Sequence, residues 1–124
     1  VGMREIERSG VAAPMRRILD TVASRGGVLH VSFDADLIDP LFAPGVNVPA
    51  PGGVTYVEAH VIMELLNERG LVASLDVTEL NPLLDVNGRS TRVVAELVAC
   101  LFDQKTSGRH DHARTEARHG QHAA

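Results

Sequence analysis

The sequence predicts an α/β fold built around a parallel sheet, and three observations carry that prediction. Two apolar runs of strand length occur at residues 28–33 and 71–77. Stretches of helical periodicity lie before, between and after them. The segment joining the first strand to the middle helix is rich in proline and glycine and far too long for a hairpin. Strands separated by a helix pair in parallel, so their C-terminal ends emerge at one edge of the sheet, the edge where α/β folds bind ligands.

The elements follow in order. From residue 12 to 25, Met15, Ile18, Leu19 and Val22 recur at i, i+3, i+4 and i+7, the spacing of one helix face. Gly26 and Gly27 end that helix. Residues 28–33 are almost unbroken in apolar side chains, as expected of a central strand covered on both faces. Residues 37–54 contain Pro40, Pro44, Gly45, Pro49, Pro51, Gly52 and Gly53, through which neither helix nor strand continues, and loops of this length usually serve function. Thr55 and Glu58 have the spacing of a capping box, and Val61, Ile62, Leu65 and Leu66 continue the stripe of the helix behind it until Gly70. The second strand runs to the break at Asn81 and Pro82. A last helix presents Val94, Leu97, Val98 and Leu101, with Ser90 and Thr91 placed to cap its start. From Asp103 the chain has almost nothing apolar to bury. Residues 103–124, including His110, His112, His119 and His122, are expected to form a disordered polar tail beyond a folded segment of residues 1–102.

Composition narrows the function classes. At 124 residues and 44% hydrophobic content the chain has the size and apolar content of one domain. Its net charge is −4 and its basic residues form no stripe interleaved with aromatics, which argues against nucleic acid as a partner. The single cysteine, Cys100, has no partner within the chain, and no zinc-finger spacing occurs. Both features suit a reducing cytosol. No apolar run is long enough to cross a bilayer, and the opening VGMREIERSG is not a signal peptide. The chain begins at Val1 rather than methionine and is read as a fragment.

The chemistry concentrates at the strand ends. In SFDADLIDP, Asp34 and Asp36 are two residues apart and point to the same side if the extended backbone persists. The second strand ends in SLDVTELNP, with Glu79 near its tip. Three carboxylates at one edge repel each other unless a cation sits among them, and an all-oxygen donor set favours magnesium, manganese or calcium. Spacing alone leaves a solvated turn or a helix cap equally open. Other polar residues read more simply. His30 shares strand parity with Asp34 but lies roughly 13 Å deeper along an extended strand, as a core histidine would. Asp39 and Asp85 read as turn organisers, and Asp76 as either support for the site or a strand-end hydrogen-bonding group. Cys100 reads as a small buried hydrophobe, and Met15 and Met63 as packing.

SFDADLIDP, FAPGVNVPAPGGVTY and SLDVTELNP, in this order and at these separations, resemble the C-terminal signature of the arginase and agmatinase group, the ureohydrolases. The resemblance extends from MREIERSG to about Phe102. It implies part of a three-layer α/β/α domain with a parallel sheet, its N-terminal part missing. It also implies a binuclear manganese centre that activates a bridging hydroxide for attack on a guanidinium carbon, releasing urea. Asp34 resembles the carboxylate that bridges both metals, Asp36 the one that binds a single metal, and Glu79 the acid that holds the substrate guanidinium. The family's remaining ligands, two histidines and two aspartates, lie in upstream motifs that this chain lacks, so isolated turnover is expected to be negligible. ELNP with Asn81, followed by NPLLDVNGRSTR, resembles arginases, which act on L-arginine, more than agmatinases. The resemblance further implies trimers or hexamers. Three positions depart from the family pattern: Asn47 and Val48 stand where a Gly-Thr pair is usual, and Val57 where arginine is frequent. These departures and the missing ligands motivate a rival reading, a non-catalytic remnant or assembly module.

Overall fold

The computed structural model describes residues 2–103, apart from the side chain of Met3, and the tail histidines His110, His112, His119 and His122 lie outside that range. The described elements are α1 (Met3–Ser9), α2 (Ala12–Ser24), β1 (Leu29–Asp34), a 3-10 turn (Ala35–Leu37), α3 (Tyr56–Arg69), β2 (Val72–Thr78) and α4 (Arg89–Phe102). β1 and β2 pair in parallel, with Phe33 opposite Val77 and Asp34 opposite Thr78, so both strands end at the same edge. Among the described residues no helix is long and apolar enough to cross a membrane.

The first helix, α1, has no counterpart in the sequence reading. Seven residues without an apolar stripe carry little local signal. An ion pair from Glu5 to Arg17 ties it to α2. In α2 the expected face turns inward unevenly. Leu19 is fully buried and Met15 packs on the core, but Ile18 is 41% exposed. Ile18 lines an apolar groove of about 250 Å³ between α2, α3 and β1, shared with Met15, Leu29, Leu37 and Ile62.

The strand β1 departs from the expectation of burial on both faces. Leu29, Val31 and Phe33 pack on the core, while His30 and Ser32 are exposed. Ser74, Asp76 and Thr78 continue that polar face on β2. His30 is therefore not a core histidine. Its Nδ1 lies 2.8 Å from the Ser74 hydroxyl and its Nε2 3.4 Å from the Asp76 carboxylate, on the polar face of the sheet. Asp76 thus takes part in a cross-strand polar contact.

The capping box that opens α3 is complete. The Thr55 amide donates to Glu58 Oε2 at 2.9 Å, and the Glu58 amide donates to Thr55 Oγ1 at 3.3 Å. Hydrogen bonds from the Thr55 amide and then its hydroxyl hold the Glu58 carboxyl below the usual range. Gly70 closes the helix at φ 62°, where only glycine pays no Cβ penalty.

Helix α4 starts differently from expectation. Neither Ser90 nor Thr91 caps it by side chain. The Asp85 carboxylate instead receives the Ser90 amide at 2.8 Å and the Thr91 amide at 2.9 Å. Partial desolvation works to raise the Asp85 carboxyl, but these amide donors outweigh it and hold the group well below the usual carboxylate range. Asp85 is the turn organiser that its position suggested. At the other end, Asn67 Nδ2 donates to the carbonyls of Cys100 and Asp103, joining α3 to α4. Leu19, Phe33, Ile38, Met63, Leu66, Val94, Leu97 and Leu101 form one continuous core among these elements.

Candidate active site

The site residues emerge where the two strands end. Asp34 closes β1 with extended backbone, φ −87° and ψ 118°, and the chain then tightens into the 3-10 turn. The same-side expectation for Asp34 and Asp36 assumed that the extended backbone continued, and here it does not. Asp34 Oδ1 accepts the Asp36 amide at 3.2 Å, so the first acid caps the turn that carries the second. The Asp36 carboxyl is raised above its ordinary value by partial desolvation, then by the charge and hydrogen bond of Asp34, then by the charge of Glu79. Through-space action of Glu79 on Asp36 follows from the parallel register, because Glu79 comes one residue after the Thr78 that pairs with Asp34.

Glu79 has an unusual backbone. Its φ is 62°, and Glu79 and Asn87 are the non-glycine residues with positive φ among those described. Such a conformation is uncommon for a side-chain-bearing residue outside turns and functional sites. No feature of the local sequence announces it, apart from the Asn81-Pro82 break two residues later.

The long loop is held against this edge. Asp39 receives the amides of Leu41 and Gly52, both at 2.8 Å, and so ties the start of the loop to its end. Gly53 lies so close to Leu37 that a Cβ would stand 2.5 Å from the Leu37 carbonyl oxygen. At the middle of the loop, Val46 bridges Leu80 in antiparallel fashion and the Asn81 amide donates to the Gly45 carbonyl at 2.8 Å. Asn47 lacks the left-handed backbone that a glycine at its position would allow, and its Oδ1 accepts Asn81 Nδ2 at 2.7 Å. Val48 and Val57 are each 68% exposed.

Among the described residues no three His, Cys, Asp or Glu side chains are gathered closely enough to hold a metal ion. What the edge carries is oxygen donors from Asp34, Asp36 and Glu79, with Asp34 and Glu79 acting on the charge of Asp36.

Comparison with known proteins gives this edge a family. The model of the Arginase family matches residues 1–103. The arginase of Brucella melitensis is 50% identical over 107 residues, covering 86% of this chain and 35% of that protein. The solved structure of Bacillus caldovelox arginase superimposes with a TM-score of 0.80 at 36% identity, over 86% of this chain and 36% of the other. A Trypanosoma cruzi formiminoglutamase solved with Mn²⁺ gives 0.68 at 30% identity, over 79% of this chain and 33% of the other. The chain spans about a third of the length of the relatives it matches. With one α/β fold, one set of strand-tip acids and a match along residues 1–103, the chain belongs to the arginase family.

Proposed function

We propose that this chain is the C-terminal segment of a manganese-dependent arginase that hydrolyses L-arginine to L-ornithine and urea, and that it is inactive in isolation. The observation that carries this reading is that β1 and β2 run in parallel, so that Asp34 with Asp36 and then Glu79 follow two strand ends at one edge of the sheet. Arginase is the name borne by the 50%-identical relative, and a more distant structural neighbour was solved with Mn²⁺. Asn81 after the Glu79-Leu80 pair favours arginase over agmatinase within the family.

In this reading Asp34 and Asp36 donate oxygen ligands and Glu79 receives the guanidinium through its planar pair of oxygens. Manganese bound there would lower the pKa of a coordinated water and stabilise the charge of the tetrahedral transition state. Asp34 also shapes the turn that presents Asp36, so its two oxygens serve different tasks. The remaining ligands belong to the upstream two-thirds of the family's length. The apolar groove beside α2 and the unpaired strand edges are the surfaces that such a segment would cover. The complete enzyme is read as a cytosolic homotrimer or homohexamer.

The test is a chimera in which residues 1–103 replace the matching segment of the Brucella melitensis arginase. The chimera is expected to release urea from L-arginine in a manganese-dependent way and to lose that activity with Asp34→Asn or Glu79→Gln. The purified 124-residue chain is expected to release none. Manganese binding is measured after deleting residues 103–124, because His110, His112, His119 and His122 would otherwise bind metal themselves. A folded chimera without urea release would favour the non-catalytic remnant.

A further inference from the structure

Glu79 sits in a left-handed backbone conformation that its own side chain disfavours, so its neighbours must hold it there. The segment just after it is fastened at two points. The antiparallel bridge of Leu80 to Val46 is made through the Asn81 amide, which donates to the Gly45 carbonyl at 2.8 Å, and Asn81 Nδ2 donates to Asn47 Oδ1 at 2.7 Å. The Asn81 side chain is used at both ends. Its Oδ1 accepts the Leu83 amide at 3.0 Å. A backbone N–H demands an acceptor, so the amide orientation is settled: Nδ2 faces Asn47, and the Asn47 atom opposite must be its carbonyl oxygen.

The anchor on the other side is rigid. Gly45 donates to the buried Ser90 hydroxyl at 2.7 Å and packs so close to Asp85 that a Cβ would stand 2.9 Å from it. The loop therefore offers Asn81 a fixed wall, and Asn47 is the side chain on that wall that grips it.

We propose that Asn47 is a positioning residue for Glu79: its side-chain carbonyl holds Asn81 and so fixes the backbone turn that presents the Glu79 carboxylate to substrate. This inference rests on the reading of Glu79 as the guanidinium anchor. Asn47 acts through Asn81, the side chain it holds.

The test is amide hydrogen exchange, read by NMR, on the 124-residue chain and four variants. Asn47→Ala removes the acceptor, and Asn47→Asp retains one. Asn81→Asp also retains a bond, because the Asn47 amide can turn and donate its Nδ2 to the new carboxylate, and its carboxylate still accepts the Leu83 amide. The fourth variant combines Asn47→Asp with Asn81→Asp and leaves two acceptors without a donor. The backbone amide of position 81 is expected to exchange roughly two- to tenfold faster in Asn47→Ala, the range for one net hydrogen bond, and at least as fast in the combined variant. Asn47→Asp and Asn81→Asp alone should keep slow exchange. Amides of the β1–β2 ladder should accelerate by no more than the factor seen at position 81, the urea midpoint should fall by no more than the matching free energy, and the Glu79 HN–Hα coupling should move toward an averaged value in the two faster variants. If Asn47→Ala does not fold, the combined variant reads the same bond. Unchanged exchange at position 81 in Asn47→Ala and in the combined variant, or fast exchange in both single aspartate variants, overturns the proposal.

The chimera separates this inference from the functional reading. A parent chimera without activity, alongside the expected exchange pattern, removes the guanidinium role and leaves the clasp. An active chimera whose KM for L-arginine does not rise with Asn47→Ala removes the positioning role and leaves the reading.

Discussion

Replacing Ser90 with alanine removes one oxygen, and the structure fixes what that oxygen does. Ser90 is the one fully buried polar side chain among the described residues, and its hydroxyl receives the Gly45 amide at 2.7 Å. Without it a backbone N–H is left inside the protein with no acceptor, because Gly45 is packed against Asp85 and Ser90 too tightly to turn away. Stranding such a donor costs about 1–3 kcal/mol. Against a total stability of order 5–15 kcal/mol, that is a large fraction. With a urea m-value of about 1–3 kcal/mol/M, a loss of about 2 kcal/mol lowers the midpoint by roughly 1 M. The assay is urea unfolding of the 124-residue chain and of Ser90→Ala, followed by far-ultraviolet circular dichroism, with m compared between them. An equal m and a lowered midpoint are expected, with faster exchange of the Gly45 amide. A midpoint within about 0.2 M of the parent, with Gly45 still protected, would refute the claim that this bond clamps the loop to α4.

Two further substitutions probe the electrostatics. Thr55→Ala removes the reciprocal cap of α3 and is expected to cost about 1 kcal/mol at neutral pH. Because Thr55 holds the folded Glu58 carboxyl below its ordinary 4.5, the stabilisation is fully present above that value and is lost as pH falls through the lower folded one. Urea midpoints of parent and variant should therefore converge on the acid side; a gap that widens there argues against the capping account. Asp36→Asn removes one of several like charges, since Asp34 and Glu79 both push the Asp36 carboxyl up. The metal-free variant, with residues 103–124 deleted, should melt no lower than its parent, while any stabilisation by added Mn²⁺ should shrink. A lower melting point without metal would show that Asp36 stabilises the fold by some contact other than these.

How much of this was legible depended on the range of each interaction. The capping box at Thr55 and Glu58, the left-handed stop at Gly70 and the turn organised by Asp85 all involve residues within six positions of each other, and all were readable. The strand-tip acids were readable too, because strands end where acids and prolines begin. His30 departs from the core position expected of it although the signal is present: Leu29, Val31 and Phe33 alternate with His30 and Ser32, the period of a strand with one polar face. The near-continuous apolar character of the run obscured that alternation. Ser90 departs from its expected capping role for a different reason. A serine at the start of a helix is a plausible cap, and only the approach of Gly45, 45 residues away, gives its hydroxyl another partner.

The order of elements, the parallel pairing that a helix between strands demands, the acids at both strand ends and the family motifs are all legible along the chain, because each is written in its spacing. The left-handed Glu79, the clasp from Asn47 to Asn81 across 34 residues and the action of Glu79 on Asp36 arise only in the folded chain. The reason is physical. Backbone strain and shared charge depend on which distant segments are pressed together, and no local pattern encodes a contact whose partners meet only when the loop, the sheet and α4 are assembled.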